Sequence, residues 1–185
     1  MQKKMTMKKT ITMKTVLTGS AILASILLPQ LFHAVGVLSG IGSAAGTAFL
    51  PMHIPVLLAG FLGGPLVGII AGALSPLISF WISGMPALPM LPFMMIELGI
   101  YGLTAGLLTK TKLPLFIQLL LTQIAGRIAR IIAGLAAIYL FDNPTLTIAS
   151  ACWTFITAGA FGILLQWALI PLLTKYLKGI QEHYV

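Results

Sequence analysis

From Thr15 to Thr109 the chain carries one charged side chain, Glu97. A stretch that long cannot wet a globular surface, because a soluble domain has about a quarter of its residues charged. Here the charged share is 8%, the hydrophobic share is 58% and the mean hydropathy is +1.05. Lipid is therefore the solvent for most of the length. This excludes a soluble enzyme, a disordered chain and a disulfide-stapled secreted module. The single Cys152 has no intrachain partner.

The remaining charge sits in clusters. Lys3, Lys4, Lys8, Lys9 and Lys14 precede the first apolar stretch, Lys110 and Lys112 mark a short break, and Lys175 and Lys178 lie near the end. A nucleic-acid binder would carry its basic residues on a polar scaffold, and there is none. Lysines of a membrane protein gather in cytoplasmic loops, so the clusters read as topology markers.

A membrane-crossing helix needs about 20 apolar residues. The pattern predicts an all-α integral membrane protein, a compact bundle of six transmembrane helices at about 14–35, 50–63, 65–83, 90–108, 114–140 and 147–174. It forms one membrane domain over 1–185, with a basic N-terminus (1–13) and a tail (175–185). The second helix is short, and Gly63-Gly64-Pro65 leaves almost no loop before the third. Residues 36–50 are Gly-rich and form a long loop or a re-entrant cap. Residues 84–92 hold three prolines and form a loop, and Asp142-Asn143-Pro144 is a turn by its chemistry. With six helices all nine lysines fall on one side together with both termini, which places the termini in the cytoplasm of a multi-pass plasma-membrane protein. A cleaved signal peptide is the other reading of the N-terminus, but the composition never turns soluble afterwards.

Lipid offers no hydrophobic drive between helices, so small residues mark their contacts. Ala125, Ala129, Ala133 and Ala137 recur every fourth residue on helix five, as do Gly102 and Gly106 on helix four and Thr154, Ala158 and Gly162 on helix six. Gly60, Gly64, Gly68 and Gly72 continue the spacing, but Pro65 interrupts that run. On helix one, Ser20-x-x-x-Ala24 and Ala21-x-x-x-Ser25 are candidates for contact with another chain.

Glu97, Arg127 and Arg130 are charged residues at membrane depth, each costing about 2.5–3.5 kcal/mol at the bilayer centre on insertion scales. Equal distances from the Lys110–Lys112 turn bring Glu97 level with about residue 125, between the two arginines on one helix face. One reading is a structural ion pair. The other starts from the count: one carboxylate does not neutralise two guanidinium groups, and an anionic ligand would. Asp142 is a rival partner. His53, between Pro51 and Pro55, reads as a structural residue or a ligand contact. Trp81, Tyr139 and Trp153 suit an outer aromatic belt, and Trp81 and Trp153 could also stack on a ring. Met85, Met90, Met94 and Met95 suit either an adaptable lid or lipid-facing filler.

No P-loop, no H-E-x-x-H and no His/Cys metal cluster occurs, so no metal, cofactor or catalytic group is expected. Ser83 with His53 is a poor serine-hydrolase arrangement. The function classes left are a ligand-binding subunit, a stand-alone small-solute transporter and, last, an intramembrane enzyme.

Residues 50–108 add specificity. Pro51-Met52-His53-Ile54-Pro55, Gly63-Gly64-Pro65 with Gly68, Ser75-Pro76, Gly84-Met85-Pro86 and Glu97 before Tyr101-Gly102 occur in an order that resembles the substrate-binding S components of energy-coupling factor (ECF) vitamin transporters. Ala125-Gly126-Arg127 extends the resemblance into helix five. The resemblance implies a six-helix protein that binds a vitamin from outside and topples in the membrane to deliver it. Its partners would be a transmembrane T component and two cytoplasmic ATPases. The ligand would lie among the outer loops and outer helix halves. Those hold His53, Trp81, Met85, Met94 and Glu97, then Tyr101, Arg127, Arg130, Asn143 and Trp153. Helix one would dock on the T component through its small residues, here Ser20, Ala21, Ala24 and Ser25. The His53, Glu97 and Arg127 neighbourhood looks most like pantothenate-linked members, with pyridoxine, niacin and cobalamin carriers sharing parts of the pattern.

Overall fold

The computed structural model describes residues 2–40, 48–141 and 159–184. In chain order its helices are α1 (Gln2–Leu38), α2 (His53–Gly63), α3 (Pro65–Ser83), α4 (Leu91–Leu108), α5 (Leu115–Phe141) and α6 (Ala160–Tyr184), with a 3-10 turn at Leu88–Met90. The described residues thus form an all-α bundle of six helices. Five are long and apolar enough to cross a membrane. The exception is α2, whose 11 residues rise about 16 Å against a core of about 30 Å.

Two ends differ from expectation. α1 begins at Gln2 rather than 14, because the lysine-rich stretch holds good helix formers and no Gly or Pro to stop it. α6 runs on past 174 to Tyr184. Its expected start at 147 falls outside the described residues.

Local chemistry fixes the tight joints. Gly64 links α2 to α3 at φ 87, ψ −177, a region open essentially only to glycine, and Pro65 opens α3 where its missing N–H costs nothing. Gly84 ends α3 in the left-handed conformation, its N–H donating to the Phe80 carbonyl.

α4 is the hub. A Cβ on Gly68 would strike the Gly102 carbonyl, one on Gly72 the Leu98 carbonyl, and one on Gly106 the Pro65 backbone. These pairs run in opposite directions, so α3 and α4 are antiparallel with backbones in contact. Gly60 of α2 meets Gly102 and Ala105 of the same helix. The Gly60–Gly72 spacing therefore survives Pro65 by splitting between two helices that both pack on α4. On α5 the buried positions are Gln118, Leu119, Thr122, Gln123, Gly126, Arg127, Arg130 and Gly134, while Ala125, Ala129, Ala133 and Ala137 are only half-buried. The alanine stripe is thus beside the packing face rather than on it. Of the helix-six stripe, Gly162 is buried against Phe49 and Leu50, and Thr154 and Ala158 lie outside the described residues.

α1 runs antiparallel to α2, with Leu17 beside Gly63 and the Phe32 ring tilted against Phe49 at a centroid distance of 5.4 Å. The helices alternate in direction, and the described lysine-bearing segments, at the start of α1, after α4 and late in α6, share one end. Polar side chains are set into an otherwise apolar interior. Gln123 Nε2 donates to Gln166 Oε1 at 3.0 Å, and Trp167 Nε1 donates to Gln123 Oε1 at 2.7 Å. Leu23, Leu27, Ile128, Ile132 and Leu164 face outward. Glutamines paired inside a bundle that leaves many leucines and isoleucines exposed suit a surrounding of lipid.

Candidate functional site

Because α2 is short, its N-terminal end lies inside the bundle, and His53 begins it, buried. Two turns into α4 stands Glu97, with no exposure. α5 comes close enough to face it because Gly126 rests on the Tyr101 ring, where a Cβ would sit 2.9 Å from two ring carbons. Arg127 and Arg130 then fall on the same side of α5.

These residues form one cluster. Arg130 Nη1 donates to Glu97 Oε2 at 2.5 Å. Arg127 Nη1 lies 3.4 Å from Glu97 Oε1, and His53 Nε2 lies 3.9 Å from the same oxygen, too far for a hydrogen bond. The His53 and Tyr101 rings meet edge-on at 5.3 Å. Both arginines thus share one carboxylate, so the ion-pair expectation is met twice over and the trio carries a formal charge of +1. Neither nitrogen of the His53 ring has a hydrogen-bond partner among the described residues.

Toward the end away from the lysines the cluster opens into a cavity of about 520 Å3. His53 and Arg130 form its floor. Met52, Met85, Met90 and Met94 line its sides, joined by Pro29 and His33 of α1, Ser79 of α3 and apolar residues of the segments that precede α2 and follow α3. Of the residues expected at the ligand, His53, Met85, Met94 and Arg130 line this cavity, as does Met90 of the methionine group. Glu97, Tyr101 and Arg127 stand behind its floor. Trp81 does not join them: it is 76% exposed on the flank of α3, where an interfacial belt residue belongs. Asn143 and Trp153, with Asp142 and Cys152, lie outside the described residues. His33, Ser79 and Met52 are additions. The signal for His33 was its place one turn after Pro29, on the same face of a helix that runs on to Leu38 rather than ending near 35.

The two small-residue registers of α1 separate. Ala21 and Ser25 are buried within the chain, and Ser25 Oγ donates to the Met52 carbonyl at 3.4 Å. Ser20 is exposed and Ala24 is half-exposed, so the first register alone is open to a partner.

A family model for the ECF transporter substrate-specific component matches residues 9–174. That span is most of the chain, and the protein belongs to this family. It is accordingly a substrate-specific component of a transport system, a multi-pass protein of the plasma membrane. Neither the curated proteins nor the solved structures compared give a match.

Proposed function

We propose that this chain captures a small carboxylate-bearing vitamin precursor, with pantothenate the first candidate, and passes it to a transmembrane T component driven by two cytoplasmic ATPases. The observation that carries this reading is the cavity floor. Arg130, a member of a cluster with two guanidinium groups and one carboxylate, reaches an otherwise largely apolar cavity beside a buried imidazole. A guanidinium only donates, and its fork fits a carboxylate. A ligand polar atom at His53 would give that ring a partner and relieve the cost of an unmade buried bond. The cavity volume lies within the roughly 300–1,000 Å3 usual for small-molecule sites. The chain has no P-loop of its own, so the energy for transport comes from partner subunits, and toppling in the membrane would carry the site inward.

The first experiment is mass spectrometry of the small molecule that co-purifies with the chain in detergent, followed by titration calorimetry with pantothenate. Arg130→Ala should weaken pantothenate binding roughly 10- to 100-fold, matching about 1.5–3 kcal/mol for a hydrogen bond to a charged group. Recovery of pyridoxine, which has no carboxylate, with affinity indifferent to Arg130→Ala, would overturn the reading.

A further inference from the structure

The cavity has polar groups at both ends. Arg130 and His53 sit at the floor, and His33 stands on the α1 wall. Ser25 is level with Met52, to whose carbonyl it donates. His33 follows Ser25 by eight residues, roughly 12 Å of helix rise toward the mouth. The space between is bounded mainly by thioethers and prolines. His33 is half-buried, and its ring makes no hydrogen bond among the described residues.

We infer that His33 is a second ligand contact, and that the cavity selects an elongated acid whose carboxylate lies on Arg130 and whose far end carries a hydroxyl held by His33. The inference rests on the carboxylate reading above and narrows it. The floor is donor-rich and calls for an anion. A neutral imidazole offers one donor and one acceptor, which a hydroxyl matches in both senses. The methionines between them fit a branched apolar middle, since unbranched thioethers adapt to irregular shapes. Pantothenate has this order of groups: carboxylate, amide, hydroxyl-bearing carbon, gem-dimethyl carbon, terminal hydroxyl.

The test compares two probes by titration calorimetry. One is pantothenate. The other is N-(3,3-dimethylbutanoyl)-β-alanine, which keeps the carboxylate, the amide and the branched carbon but lacks both hydroxyls. His33→Ala should weaken pantothenate binding about 10-fold and leave the dideoxy analogue at wild-type affinity. His33→Gln, which restores a donor and an acceptor, should recover part of the loss. Unchanged pantothenate affinity in His33→Ala overturns the inference. So does an equal loss for both probes, which would make His33 a support of the wall instead. Failure of the wild-type chain to bind pantothenate removes the ligand assignment itself, a result distinct from either, because it precedes any substitution.

Discussion

Glu97 has no water to fall back on. It is fully buried between an imidazole and two guanidinium groups, and it ties α4 to α5. Removing one partner of a buried ion pair leaves the other charge stranded, at about 3–5 kcal/mol. Glu97→Ala should therefore lower the unfolding midpoint in detergent well below wild type. An unchanged midpoint would mean that the pair does not hold the two helices together. The two arginines differ in kind although both face the same carboxylate. Arg130 lines the cavity and Arg127 stands behind it. Arg127→Ala should thus reduce stability with little change in pantothenate affinity, whereas Arg130→Ala should reduce both. Equal losses of affinity would place the anion between the two guanidinium groups rather than at Arg130.

At the scale of elements, the α3–α4 contact is backbone on backbone. Gly68 and Gly102 each occupy space that the other's Cβ would need. Gly68→Ala cannot be absorbed by a flexible side chain, so it should cost about 1–3 kcal/mol, the range for overpacking. Thermal unfolding measures it, and Gly19→Ala is the control, because nothing lies within 4 Å of the Cβ it would add. A neutral result at Gly68 would argue that α3 and α4 slide apart readily. This contact was legible in advance because glycines every fourth residue have one plain use in lipid. The Glu97–arginine pairing was legible too, since the Lys110–Lys112 turn sets the register of its two helices. The α5 alanines misled for a physical reason. Small residues show where a helix can be approached, and Gly126 with the polar positions beside it decided where the approach occurred. His33 was hidden by helix length. A wall residue on α1 cannot be read from sequence when the helix is taken to stop two residues later and the Gly-rich segment beyond it gives no periodicity.

Across the whole molecule, α1 is the element with two audiences. Its 37 residues rise about 55 Å, well beyond the roughly 30 Å core, and the excess is at the lysine end. One face is used up inside the chain: Ala21 packs against Ala59 of α2 and Val67 and Ala71 of α3, and Ser25 donates to the Met52 carbonyl beside the cavity. The adjacent face, Ser20 and Ala24, stays accessible and small, which lets another helix approach closely. Proposed docking on a T component therefore belongs to Ser20 and Ala24, and the two registers make opposite predictions. Ala24→Trp should leave folding and pantothenate affinity intact while preventing co-purification with the T component and ATPases. Ala21→Trp should instead damage the chain itself, because an indole cannot fit where the side chain is 5% exposed, and both unfolding midpoint and ligand affinity should fall. If Ala24→Trp still assembles the full complex, the docking surface lies on another face, and the exposed register of α1 is simply in contact with lipid.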